Sequence, residues 1–224
     1  MALLAQDTFT VGVDTVLESH TPDIGTGWSV ETAAKLTCDA AGDYCYANQA
    51  NNTRHWGREG TSIGADAMDV TVDILVNNVN NNRFCGPAGR MTTANWGNQY
   101  NAEAQGGGIG GNVQLTYFLF KAVSSVRTQL GSWADTSTNN GASTHTVKLE
   151  IRTAAKKVFV DGIERISSAD DSLAGNHYAG LTGQRLEAQM DNFKSESVND
   201  PLPSKILESS LLQLNRMSEA AVGA

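Results

Sequence analysis

Two carboxyl groups a few ångströms apart can cleave a glycosidic bond, one as acid and one as nucleophile. The 24 Asp and Glu residues of this chain offer few such pairs. Asp69 and Asp73 share one strand face, but four residues of extended chain hold them more than about 10 Å apart. Glu187 and Asp191 repeat that spacing. His20, His55, His145 and His177 follow no metal-ligand pattern of the H-E-x-x-H kind, and no G-x-S-x-G marks a nucleophilic serine. Gly106, Gly108 and Gly111 satisfy G-x-G-x-x-G, yet a strand-like run follows where a phosphate-binding loop requires a helix. That stretch reads as a hairpin tip. The remaining chemistry is non-covalent. Trp56, Trp96, Tyr100 and Trp133 fall in or beside loop-like text, with Arg58, Arg90, Asn95 and Asn98 near by. Aromatic faces beside amide or carboxylate hydrogen bonders make a sugar site. The competing reading of a loop tryptophan is a packing lid or a subunit contact. Trp28 is placed in the core.

The elements that must position these side chains are strands. Met68, Val70, Val72, Ile74 and Val76 fall on one face of a period-two run, and Asp69, Thr71, Asp73 and Leu75 on the other. Residues 113–120, 147–151 and 158–160 are apolar runs of the same kind. Turns rich in Gly, Asn, Ser and Thr separate them. Such strands bury their apolar faces by stacking two sheets, so an antiparallel β-sandwich is expected. Residues 7–10 read as a short first strand, 35–38 and 44–48 as a hairpin, and 57–66 as a loop. Residues 83–91 carry Gly86, Pro87 and Gly89, which predicts a bulged or edge strand at best; residues 100–105 are its candidate partner. Asp161 and Gly162 tolerate positive φ between two apolar runs, a strong hairpin signal. Residues 188–196 form the last strand.

At 224 residues, with 22 Gly, the chain suits one large sandwich and an appendage. A net charge of −8 without a basic cluster argues against nucleic acid as a partner. No apolar stretch reaches membrane-spanning length, so no membrane insertion is expected, and the start of the chain does not read as a signal peptide. Cys38, Cys45 and Cys85 read as reduced thiols made in a cytoplasm, with Cys38 and Cys45 as hairpin neighbours. Residues 1–199 are assigned to the sandwich. In residues 200–224, Pro201 and Pro203 make a stiff linker. Beyond them Leu207, Leu211, Leu214 and Met217 line one stripe of a helical tail.

Asp7 and Phe9, Leu17 to Gly25 (L-E-S-H-T-P-D-I-G), Trp28, residues 158–162 (V-F-V-D-G), 180–183 (G-L-T-G) and Asp191 to Phe193 together resemble a concanavalin A-like lectin/glucanase (laminin-G-like) jelly roll. The version most similar is that of bacteriophage virion proteins. The resemblance covers residues 7–197 and implies that the first and last strands lie side by side. The family's glucanases carry E-x-D-x-E or E-x-D-x-x-E on one strand, which is absent here, so no enzyme activity is expected. The resemblance also implies a structural calcium, with Asp191 joined by Asp7 or Asp23; the alternative is an Asp hydrogen-bonded to a neighbouring loop.

The function expected on this basis is that of a non-enzymatic virion structural protein. Its first place is capsid decoration on the virion surface, in contact with other virion proteins. The alternative is a carbohydrate-binding adhesin or receptor-binding tail module that meets a host-surface glycan. The tail is then an anchor or oligomerisation element, with a trimer favoured by the resemblance. Burying each of its apolar side chains contributes roughly 1.5–3 kcal/mol, and closed symmetric oligomers are the common way to do so. Deleting residues 201–224 is expected to leave a folded, soluble monomer, measured as mass in solution. A truncated protein that still assembles and attaches like the full chain removes the tail as anchor.

Overall fold

The computed structural model describes residues 1–48, 53–64, 67–76, 83–92, 97–109, 112–124, 126–137, 141, 143–173, 175, 177–185 and 188–198. The predicted helical tail and its stripe, Leu207, Leu211, Leu214 and Met217, lie outside these residues, as does the predicted boundary at 199–200. In chain order come β1 (Ala2–Asp7), β2 (Thr15–Val16), β3 (Trp28–Val30), β4 (Leu36–Asp39) and β5 (Tyr44–Ala47). Next are β6 (His55–Glu59), β7 (Met68–Val76), β8 (Phe84–Met91), β9 (Gln99–Ile109) and β10 (Asn112–Val123). The set ends with β11 (Val126–Ala134), β12 (His145–Ile151), β13 (Lys156–Val160), β14 (Ile163–Ser168), β15 (Tyr178–Gln184) and β16 (Ala188–Ser197).

These strands form two antiparallel sheets. The nine-stranded sheet runs β14-β13-β12-β7-β16-β5-β4-β2, with β1 also on β16; the seven-stranded sheet runs β11-β10-β9-β8-β15-β6-β3. The alternation of β7 decides its orientation: Met68, Val70, Val72, Ile74 and Val76 are all fully buried. They meet Tyr100, Ala102, Leu115 and Leu119 of the opposite sheet in one core. A register slip of one residue would turn that whole set to solvent. The sandwich expected from the sequence is therefore the fold observed. Asp161 and Gly162 make the two-residue turn between β13 and β14, at φ of 50° and 79°. The first and last strands pair as the resemblance implied, Ala2 opposite Ser197 and Asp7 opposite Phe193.

Three expectations change. The first strand ends at Asp7 rather than starting there. Beyond it Phe9 adopts a positive φ of 50°, and its N–H donates to Asp7 Oδ1 at 2.8 Å. Trp28 Nε1 donates to Asp7 Oδ2 at 2.6 Å, and His20 Nε2 lies 2.8 Å from Oδ1. Burial pushes the Asp7 carboxyl up, and the His20, Phe9 and Trp28 contacts pull against it. The D-x-F text is thus a turn locked by its own aspartate. Second, residues 57–59, expected as the start of a loop, belong to the strand His55–Glu59. Gly57 there marks close packing: a Cβ would sit 2.7 Å from Leu17 Cδ2 and 3.2 Å from Leu36 Cδ1. Third, β8 is internal, between β9 and β15. The predicted bulge is real and lies at Arg90, φ 50°, where the register with β15 shifts.

The segment after β14 is tied down by charge. Asp170 accepts hydrogen bonds from Tyr100 Oη at 2.6 Å, from Ser172 Oγ at 2.8 Å and from Lys121 Nζ. Arg90, itself 1% exposed, donates to the carbonyl of Leu173. Burial would raise the Asp170 carboxyl, but the donors from Lys121, Tyr100 and Ser172 outweigh it and hold it well below the usual carboxylate range. A folded-state value depressed in this way contributes stability above the ordinary value of 3.8, lost as pH falls through and below it. Asp170→Asn is expected to lower stability by about 1–3 kcal/mol at neutral pH. The same change should flatten the acid limb of a pH-melting curve. An unchanged acid limb overturns this account.

Candidate functional site

Strand β9 reads Gln99, Tyr100, Asn101, Ala102, Glu103, Ala104, Gln105. Tyr100, Ala102 and Ala104 enter the core, so Gln99, Asn101, Glu103 and Gln105 point to the outer face of the seven-stranded sheet. Opposite them on β10, Phe118 pairs with Glu103 and Phe120 with Asn101. Their rings stack at 5.5 Å with 23° between planes. β8 contributes Phe84, opposite Gln105, and Ala88, opposite Asn101. The alternation of three adjacent strands thus builds a polar row flanked by aromatic rings.

The centre of this face is a charge cluster. Glu103 is fully buried. Its Oε2 accepts from Arg127 Nη2 at 2.8 Å and from Arg54 Nε at 3.2 Å, and its Oε1 accepts from Asn101 Nδ2 at 2.7 Å. Each guanidinium also lies over a ring: Arg127 is 3.7 Å from the Phe120 centroid and Arg54 is 4.0 Å from that of Phe84. A stacked guanidinium keeps its edge free to donate in plane, which lysine does not reproduce. Burial and the neighbouring Arg54 lower the Arg127 pKa, while Glu103 opposes them. The two arginine side chains remain 19% and 17% exposed and form the accessible rim.

Towards the β6 side, Trp56, Ala88 and Met91 form a separate small apolar cluster, with Tyr178 packed against it. Arg58 stacks 4.3 Å from the Tyr178 ring centroid, and its Nη1 donates to the carbonyl of Thr92 at 3.0 Å. Between the two clusters lie polar groups with no hydrogen-bond partner among the described residues: the side-chain N and O of Gln99, Asn101 Oδ1, Thr182 Oγ1 and Gln184 Oε1. Their residues are 2% exposed or less. Buried groups of this kind are normally satisfied by water or a ligand. The arrangement presents neutral donors and acceptors beside aromatic faces, with a charged clamp at the centre.

The residues singled out by sequence are dispersed by the fold. Trp56 is on the outer face just described. Tyr100 is on the inner face, with its hydroxyl on Asp170. Trp133 is stacked on core residue Tyr117 at 5.4 Å, with Arg165 4.2 Å above it. Trp56, Tyr100 and Trp133 lie in strands, not loops. Trp96 lies outside the described residues. Trp28 is a core residue, as expected. The alternation Q-Y-N-A-E-A-Q carried the missing signal for Gln99, Asn101 and Glu103. Nothing in the spacing of Arg54, Arg127 and Tyr178 announces that they converge.

Asp7 and Asp191 are near in chain pairing but face opposite sides of their sheet. Asp7 spends its oxygens on Trp28, Phe9 and His20 inside. Asp191 lines an outer cleft of about 280 Å³ with Tyr44, Asp73 and Gln189. Among the described residues no three His, Cys, Asp or Glu are placed to share a metal ion. Asp73 and Asp191 are direct cross-strand partners, a pairing that spacing within one strand does not reveal. Asn192 braces them, donating from Nδ2 to Asp73 at 2.9 Å and from its backbone N–H to Asp191 at 2.6 Å. Burial raises the Asp191 carboxyl, and Asp73 adds to the shift.

The architecture is that of a concanavalin A-like, galectin-like jelly roll. No family model matches the sequence, and no curated protein does. Solved structures do. The carbohydrate-binding module CBM66 from Bacillus subtilis superposes with a TM-score of 0.56 over 77% of this chain and 97% of that one, at 15% identity. The VIP36 exoplasmic/lumenal domain, in a Ca²⁺/Man3GlcNAc-bound form, gives 0.55 over 80% and 88% at 10% identity. The Bacillus licheniformis β-glucanase gives 0.55 over 85% and 100% at 8% identity. At such identities the likeness defines the fold, which hosts both binding proteins and enzymes.

Replacing Glu103 by Gln removes the charge that both arginines face. Breaking a fully buried ion pair costs roughly 3–5 kcal/mol. The solvent access of Arg54 and Arg127 reduces this, and about 2–3 kcal/mol is expected in denaturant unfolding. A variant as stable as the parent shows that Glu103 is not the centre of this face.

Proposed function

We propose that the protein is a non-catalytic carbohydrate-binding module that engages a saccharide on the outer face of the seven-stranded sheet. The observation that carries this reading is the row of neutral polar groups without partners among the described residues, on Gln99, Asn101, Thr182 and Gln184, set between the half-buried ring of Tyr178 on one side and those of Phe118 and Phe120 on the other. Sugar hydroxyls both donate and accept, and sugar C–H faces pack on aromatic rings. Amides and hydroxyls match the first property, and the rings match the second. The arginine clamp fixes Asn101 through Glu103, so the amide that meets the ligand is held in one orientation.

The carbohydrate-binding neighbours support this reading above capsid decoration. The resemblance to virion modules supplies the setting: a virion surface on which such a face meets a host glycan. A calcium ion, if bound, would use carboxylates other than the enclosed Asp7.

A glycan array followed by titration calorimetry tests the proposal. Binding is expected to weaken by roughly tenfold or more in Asn101→Ala and in Thr182→Val, each about 1.4 kcal/mol or more. Trp133→Ala is expected to leave affinity unchanged. Laminarin and lichenan incubated with the protein should release no reducing sugar. A blank array, or a ligand indifferent to both outer-face changes, overturns the site. Sugar release abolished by Asp73→Asn or Asp191→Asn overturns the non-catalytic reading.

A further inference from the structure

Cys38 and Cys45 are opposite each other in the β4–β5 hairpin, and the ladder fixes which kind of pair they form. Successive partners are Leu36 with Ala47, Thr37 with Tyr46, Cys38 with Cys45 and Asp39 with Tyr44. One step before them, the N–H of Asn48 donates to the carbonyl of Lys35 at 2.8 Å. Lys35 and Asn48 are therefore a hydrogen-bonded pair. Antiparallel partners alternate between hydrogen-bonded and non-hydrogen-bonded pairs. Leu36 and Ala47 are thus non-hydrogen-bonded, Thr37 and Tyr46 bonded, and Cys38 and Cys45 non-hydrogen-bonded.

In a non-hydrogen-bonded pair the Cα atoms approach to about 4.5 Å, inside the roughly 4.4–6.8 Å range that disulfides span. Both side chains are fully buried in the same core, so they leave the backbone on the same face. Both are free thiols in this structure, as is Cys85. The Cys45 thiol is held protonated first by burial, and then by a hydrogen bond with the Cys38 thiol and by the nearby Cys38 and Asp7 charges. The cross-strand pairing itself sets the two side chains side by side. Cys85 lies in β8 of the other sheet, outside this pair.

We infer that Cys38 and Cys45 are a latent redox site, a dithiol that closes to a cross-strand disulfide when an oxidised low-molecular-weight disulfide is the electron acceptor. One cysteine, as thiolate, attacks the oxidant and forms a mixed disulfide while one small thiol leaves. The second cysteine loses its proton, attacks the protein sulfur of that mixed disulfide and displaces the other small thiol. The balance is two protein thiols plus one oxidised disulfide giving one protein disulfide plus two small thiols. Burial and the protonated Cys45 keep this slow in the native state, since thiolate is the reacting form. The pair is joined to the rest of its sheet by short ladders, Thr15 and Val16 on one side and Gln189 and Met190 on the other. Opening of this hairpin is the route to reaction. The bond would staple the hairpin without moving its strands, so the same fold would hold the dithiol and the disulfide.

The full-length protein is incubated with oxidised glutathione, both native and while refolding from the reduced, denatured chain. Free thiols are then alkylated under denaturing conditions, and peptides are mapped by mass spectrometry. The expected result is loss of two of the three alkylation sites, a peptide pair joined through Cys38 and Cys45 and lighter by two hydrogens, and Cys85 alkylated throughout. The Tm should rise on closure and return with dithiothreitol. Cys85→Ser should behave like the parent, and Cys38→Ala and Cys45→Ala should form no internal bond. Three alkylated thiols even after oxidative refolding, or a disulfide that includes Cys85, overturns the inference.

Discussion

A strand has two edges, and β16 divides one of them. Its first edge pairs with β7 from Ala188 to Ser197; its second serves β5 at Gln189 and Met190 and then β1 from Phe193 onward. The switch needs a break in the pleat, and it falls at Asp191 and Asn192, where the register with β7 shifts and Asn192 takes a φ of 51°. A bulge adds a residue to one strand and re-aims the chain. Here the Asn192 side chain then turns across to Asp73 and ties the bulge to the neighbouring strand. The pairing of β1, the Asp7 turn beyond it and the seating of Trp28 all follow from that one irregularity.

The two sheets are asymmetric in the work their outer faces do. On the nine-stranded sheet the outer face carries compensated charge. Arg152 meets the buried Asp69 at 2.6 Å, and Lys194 meets Glu196 at 3.1 Å, the latter a more exposed pair that contributes little stability. On the seven-stranded sheet the outer face is closed over by its own aromatic and arginine side chains. Small residues make this close approach feasible. Gly86, at φ 154°, has the carbonyl oxygen of Ala102 only 2.1 Å from where a Cβ would sit, so no side chain fits there without moving backbone.

Much of this was legible in the sequence because a strand writes its two faces in alternate letters. The alternation of β7, the D-G turn, the β4–β5 hairpin and the pairing of 83–91 with 100–105 needed only neighbours in sequence. Where the text misled, a residue type had two physical causes. Gly57 suggested a loop but reflects packing under Leu17 and Leu36. Gly86 and Pro87 suggested an edge but sit in an internal strand. Tryptophans near loop-like text suggested exposure, yet Trp56 is fully buried and Trp133 leans on the core. The site was the least legible part. Glu103 gathers Arg54 from 49 residues before it and Arg127 from 24 after it, and only the sheet order makes them neighbours.

The pairing of Ala2 with Ser197 has a practical corollary for handling the molecule. Both ends of the sandwich emerge at the same corner, beside each other on one sheet. A short bridge between them would therefore span a small gap and leave every ladder intact. The chain could then be reopened at the Asp161–Gly162 turn, whose tip is solvent-facing. Such a circularly permuted form would keep the aromatic and amide face untouched while moving its free ends to a different sheet edge. The outer face of the seven-stranded sheet could then be carried on a new support without altering any residue that builds it.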